Sequence, residues 1–213
     1  MKRIAHNSLL WLACLSLCAC AGLPFFSNES GTATNEPAEY RGHLLALESV
    51  HAFALTGRIG VITEKKGFSG SMLWHHNGEG DDISFYSPFG AKIGELSAGP
   101  SGVTLVTSDQ KTYSAGDAET LTQNVLGWSL PLSGLPDWAL GRPAAGEAQV
   151  QAWYDGGLIA RMQQEGWNIE YQSYRESSGL RLPGKIVLKS PRLDLKLVVE
   201  SWQTDGNASG GAR

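Results

Sequence analysis

Cysteine is scarce in this chain. Its 213 residues hold three, Cys14, Cys18 and Cys20, all within the first twenty positions. No pair remains beyond that point, so neither a disulfide framework nor a cysteine-based metal site supports the fold. Basic charge is short as well: 17 Lys and Arg face 21 Asp and Glu, a formal net charge of −4. That balance argues against nucleic acid, which demands a basic stripe, and against a polybasic grip on anionic lipid. Long apolar runs are also missing. The stretch from Leu9 to Ala19 falls short of the roughly 20 residues that a membrane span needs, and Leu23-Pro24 followed by Ser27-Asn28-Glu29-Ser30 ends it. No G-x-x-x-x-G-K-[ST] phosphate loop, G-x-S-x-G elbow or H-E-x-x-H metal pair occurs. His75 and His76 are neighbours on a strand pattern, so they point to opposite faces and cannot readily share a metal. Asp81-Asp82 reads as a polar strand start. No residue calls for catalysis, a metal or a cofactor, and the protein is not expected to be an enzyme. Anything it moves must therefore move downhill in binding free energy, without nucleotide hydrolysis.

What is present begins at the N-terminus. Met1-Lys2-Arg3, a short apolar run and small residues describe a secretory signal over residues 1–19. Leu17-Cys18-Ala19-Cys20 resembles the bacterial lipobox, in which the chain is cut before the cysteine and its thiol is acylated. Cys20 would then be the lipid attachment point, carrying palmitate-type chains. Each buried acyl CH2 is worth about 0.8 kcal/mol, and two or more chains anchor stably. In bacterial lipoproteins an aspartate after the cysteine favours the inner membrane. Ala21 stands there, which implies lipid anchoring in the outer membrane, on its periplasmic face. Loss of Lys2 and Arg3 with the signal leaves 15 basic against 21 acidic residues, a net charge near −6.

Residues 20–39 are rich in Ser, Asn, Thr, Gly, Pro and Glu and read as an acylated N-terminus and flexible tether. Residues 40–203 read as a single domain and 204–213 as a disordered tail. A short amphipathic helix is expected near Tyr40–Val50. Beyond it the hydrophobic period is two, with about eleven strands. These fall at Phe53–Val61, Phe68–Trp74, Asp82–Ser87, Lys92–Leu96, Val103–Thr107, Lys111–Ser114, Ala148–Tyr154, Leu158–Gln164, Trp167–Tyr174, Lys185–Ser190 and Leu193–Gln203. Short turns such as Asn77-Gly78 and Asp155-Gly156-Gly157 imply an antiparallel meander that curls into a barrel or half-barrel. One interval breaks the pattern. Ala118, Leu121, Val125 and Leu126 fall at helical spacing behind Asp117 and end at Gly127. A second short helix, capped by Ser133 and closed by Gly141, follows. The fold class is mainly β with a small helical insert whose apolar faces can cover a curved sheet. Within Tyr86-Ser87-Pro88-Phe89-Gly90-Ala91, Phe89 either stands at an exposed loop tip or folds back into the core.

Several stretches together resemble the LolB family of Gram-negative outer-membrane lipoprotein receptors. They are Leu55-Thr56-Gly57-Arg58-Ile59-Gly60-Val61, Gly70-Ser71-Met72-Leu73-Trp74, Ser87-Pro88-Phe89-Gly90 and Leu126-Gly127-Trp128-Ser129-Leu130-Pro131-Leu132. Trp167-Asn168-Ile169-Glu170-Tyr171 and Leu193-Asp194-Leu195-Lys196-Leu197 follow in the same order. The resemblance implies an unclosed antiparallel β-barrel with an α-helical lid over an apolar cavity. It also implies a monomeric receptor that accepts acylated lipoprotein cargo from the periplasmic carrier LolA and inserts it into outer-membrane lipid, at the inner leaflet. A protruding apolar residue serves membrane delivery in the family; it is usually leucine, and the matching loop here is Pro88, Phe89 and Gly90. Phe68, Met72, Trp74, Phe85, Ile93, Leu121, Val125, Leu135 and Trp138 are candidates for lining the cavity, with strand parity undecided. Arg58 either bonds to the lid or is a plain surface arginine. The alternative function is an outer-membrane lipoprotein that binds glycan or peptidoglycan through surface aromatics.

Overall fold

The computed structural model describes residues 35–205. The signal, Cys20, most of the tether and the C-terminal tail lie outside the described residues. A nine-residue helix, α1 (Tyr40–Glu48), leads into β1 (Phe53–Thr63), β2 (Gly67–His76), β3 (Asp81–Tyr86), β4 (Lys92–Gly99), β5 (Gly102–Thr107) and β6 (Thr112–Ala115). Two helices follow, α2 (Ala118–Val125) and α3 (Leu135–Leu140). The chain then forms β7 (Ala148–Tyr154), β8 (Leu158–Gln164), β9 (Trp167–Ser177), β10 (Leu180–Lys189) and β11 (Leu193–Thr204).

All eleven strands form one antiparallel sheet in the order β6-β5-β4-β3-β2-β1-β11-β10-β9-β8-β7. Two meanders, β1–β6 and β7–β11, are joined where β1 pairs with β11. The edges β6 and β7 do not pair, so the barrel is unclosed. The segment that connects these edges carries α2 and α3, and it covers the core-facing side of the sheet.

Strict alternation builds the core face. Phe53, Leu55, Ile59 and Val61 of β1 are buried while Arg58 is exposed. Facing them, Leu193, Leu195, Leu197 and Val199 of β11 are buried in turn. An extra residue, Glu200, enters β11 opposite Thr56 and Gly57 as a bulge. A bulge shifts side-chain parity by one, and so Trp202 returns to the core, where its indole N–H donates to the Pro183 carbonyl at 3.0 Å. Trp74 and Trp138 are fully buried. Their N–H groups find the Asp81 carboxylate at 2.7 Å and the Gln164 side chain at 2.8 Å, as buried indoles require.

Two local expectations differ most from the structure. Strand β10 begins at Leu180, five residues before the expected Lys185, and continues through Pro183 with a register shift between Pro183 and Lys185. Proline removes a ladder hydrogen bond but is tolerated at a bulge, so the strand survives a residue that reads as its breaker. Helix α3 is not capped by Ser133: its N-cap is Gly134, with no side-chain cap. Ser133 instead donates both its N–H and its hydroxyl to Glu119 of α2, at 3.3 and 3.0 Å. The cap on α2 is as expected, with Asp117 accepting from the Thr120 N–H at 2.7 Å. Gly127 and Gly141 end the two helices with φ of +84° and +85°, a backbone region that glycine enters without steric cost.

Candidate functional site

The covered face of the sheet does not pack completely. A cavity of about 280 Å³ remains between β1–β4 and the end of α2, near the lower size of ligand sites. Val61, Phe68, Phe85 and Ile93 line it from the sheet, and Val125, Leu126 and Trp128 from the helical segment. Trp128 forms its corner, stacked on Phe68 and set edge-on to Phe85, each with ring centroids 6.0 Å apart. Polar groups appear only at one rim, where Thr63, Lys66, Gly67 and Gly127 meet. Such a lining suits an apolar chain. Among the described residues no group of three or more His, Cys, Asp or Glu could hold a metal.

Beyond that rim opens a wider cleft of about 760 Å³, lined mostly by polar and charged residues, which shares Thr63, Lys66 and Gly127 with the cavity. It is walled by the β1–β2, β8–β9 and β10–β11 turns and by Glu119 and Gln123 of α2. Antiparallel order puts these three turns and the β3–β4 loop at the same end of the sheet. Phe89 stands at the tip of that loop and is 98% exposed. The loop is a tight turn: the Ser87 hydroxyl accepts from the N–H groups of Phe89 and Ala91, and Gly90 takes φ +83° behind Pro88. Of the two readings open for Phe89, the exposed tip is the one the structure adopts.

Of the nine candidate lining residues, Phe68, Phe85, Ile93 and Val125 come together around the cavity. Met72, Trp74, Leu121, Leu135 and Trp138 are buried in the core cluster and do not line it. Strand parity is right for Met72 and Trp74, but they lie farther along β2 from the cavity and are buried. Arg58 does not touch the lid. It lies on the outward face of β1, its side chain 76% exposed, and pairs with Glu200 at 3.1 Å.

The lid is held by groups that sequence reading passes over. Buried Gln164, at the end of β8, accepts from the Trp138 indole and from the Ala144 N–H at 2.8 and 2.9 Å, and donates to the Ala144 carbonyl at 2.8 Å. Tyr171 donates its hydroxyl to the Trp138 carbonyl at 3.0 Å. Burial pushes the ionisation of the Tyr171 phenol well above its ordinary value of 10.0, so it stays a donor. Arg142 pairs with Asp137 at 2.7 Å and donates to the Leu47 carbonyl at 2.7 Å, which ties α3 to α1. Inside α2, Thr122 donates to the Ala118 carbonyl and accepts from the Leu130 N–H. A glutamine in an amphipathic strand reads as a surface residue. Its pairing with a tryptophan 26 positions earlier appears only in three dimensions.

Fold and site together define a curled-sheet protein that shelters an apolar cavity beneath a helical lid. A solved structure of a DUF1329 family protein from Desulfovibrio piger shares this fold at a TM-score of 0.55. Its identity is 8%, and the match covers 82% of this chain and 95% of that one. The family model for outer membrane lipoprotein LolB matches residues 51–202. The chain is 35% identical over 188 residues to the outer-membrane lipoprotein LolB of Pseudomonas savastanoi pv. phaseolicola, covering 88% of this chain and 90% of that protein. It is also 32% identical over 197 residues to that of Nitrosococcus oceani, covering 92% and 96%. The chain belongs to the LolB family.

Proposed function

We propose that this outer-membrane lipoprotein is a receptor that takes acylated proteins from the carrier LolA and delivers them into the inner leaflet of the outer membrane. The observation that carries this reading is the pairing of an apolar cavity with a fully exposed Phe89 at the same end of the sheet. An acyl chain exposed to water costs about 0.8 kcal/mol per CH2. The cavity offsets much of that cost for the segment it holds, and a bilayer offsets all of it, so release into the membrane is favourable without nucleotide. Phe89 keeps the apolar bulk that a membrane-inserting tip needs. Glycan binding through surface aromatics draws less support: Trp74, Trp128, Trp138, Trp153 and Trp202 are buried and Trp167 is half-buried, which leaves Phe89 and Tyr113 as the exposed aromatics among the described residues.

The test follows a purified cargo lipoprotein from its carrier to the soluble domain and then to liposomes, with wild type and Phe89→Glu side by side. Both forms should accept cargo, and delivery to liposomes should drop at least about tenfold in the variant, since a carboxylate opposes insertion. Failure of both forms to accept cargo would remove the receptor reading. Equal delivery by both would remove the role of Phe89.

A further inference from the structure

Lys66 occupies the doorway between the two spaces. Its backbone closes the β1–β2 turn, where the Lys66 N–H and carbonyl both bond to the Thr63 hydroxyl. Its side chain lies across Gly127, with Nζ 2.9 Å from where a Cβ on that glycine would stand. A larger residue at position 127 would force the ammonium aside. The ammonium itself has no hydrogen-bond or ion-pair partner among the described residues. An apolar cavity thus ends at three unused donors, and the polar cleft begins there.

Acyl chemistry supplies the complement. Any acyl chain ends in an ester or amide carbonyl, and a chain drawn into the cavity leaves that carbonyl at the rim, partly stripped of water. A carbonyl left there without a donor opposes binding; one that meets an ammonium favours it. We infer that the polar cleft is a second binding site, for the carbonyl-rich head of the acylated cargo, and that Lys66 donates to that head at the doorway. The inference rests on the receptor reading and adds to it a means of telling acyl cargo from a plain hydrocarbon. The cleft has the room: at about 760 Å³ it exceeds the cavity it adjoins. Its charges are balanced rather than strongly basic. Lys65, Lys66 and Arg192 are matched in number by Glu64, Glu165 and Glu119, the last already engaged by Ser133. Such a cleft suits a neutral peptide or glyceryl ester better than a free anion.

The experiment uses the chain from Ala21 onward, which keeps every described element, and two probes. One is N-phenylnaphthylamine, which is apolar and has no carbonyl; the other is a synthetic dipalmitoylglyceryl-cysteine peptide. Lys66→Met keeps the stem and removes the charge, and Lys66→Arg restores a donor. Naphthylamine affinity should not fall in either variant, since the probe has no carbonyl for Lys66 to meet. Lipopeptide affinity should fall about tenfold in Lys66→Met, the expected effect of losing one charge-assisted hydrogen bond, and recover in Lys66→Arg. Unchanged lipopeptide affinity in Lys66→Met, or equal losses for both probes, would overturn the assignment of Lys66 while leaving the receptor reading in place. A wild-type protein that takes naphthylamine but refuses the lipopeptide would overturn the receptor reading, and the cleft assignment with it.

Discussion

Gln164 and His43 show how single side chains set the behaviour of this molecule. Gln164 is 3% exposed and satisfies two donors and one acceptor of the lid segment. Leaving buried polar groups unpaired costs about 1–3 kcal/mol each. Gln164→Leu should therefore destabilise the domain by at least about 2 kcal/mol, read as a lower urea midpoint with an unchanged slope. A variant as stable as wild type would show that the lid does not depend on this residue. His43, on α1, has its imidazole held below the ordinary value of 6.5, first by burial and then by the charge of Arg181. The folded protein thus binds this proton less readily than the unfolded chain does. Stability from this group is full above about pH 6.5 and is lost as pH falls below it. Melting temperature should drop further between pH 7.5 and 5.5 in wild type than in His43→Leu; parallel drops would assign the acid sensitivity elsewhere.

At the scale of elements, the sheet was readable from sequence because alternation is a local signal. Strands β7 and β8 fall where the pattern puts them, and each of the other strands keeps its place with at least one end displaced, by up to five residues. What was hidden depended on partners far along the chain. Pro183 and Gly184 interrupt the pattern of β10, yet hydrogen bonds to β9 carry the strand through them. Met72 and Trp74 have the right parity for the cavity, but depth along a strand is not written in its period. Arg58 falls on the outward face by the same alternation that buries Ile59, and the lid is tied by Gln164 and Tyr171 instead. The lid also has a local support that was readable. Asp117 caps α2 through the Thr120 N–H, and its replacement by alanine should cost about 1 kcal/mol. Because α2 forms one wall of the cavity, Asp117→Ala should also speed the dissociation of a bound apolar probe in stopped-flow fluorescence. Lost stability with unchanged dissociation would separate the helix from gating.

For the whole molecule, every part of the proposed transfer path lies within residues 35–205: the cavity, the cleft and the Phe89 loop. None of them uses Cys20. A chain beginning at Ala21 should accept acylated cargo as well as the lipid-anchored form does, while losing the address that an anchor supplies. Loss of cargo acceptance on removal of Cys20 would refute this division of labour. The most direct test of where cargo goes uses a lipoprotein whose acyl chain carries a photoactivatable diazirine near its end. After transfer from the carrier, irradiation and peptide mapping should place the label on Phe68, Phe85, Ile93 and Trp128. Label confined to the Phe89 loop or to the outward face around Arg58 would mean that the cavity does not hold the chain, and the proposed function would fall with it.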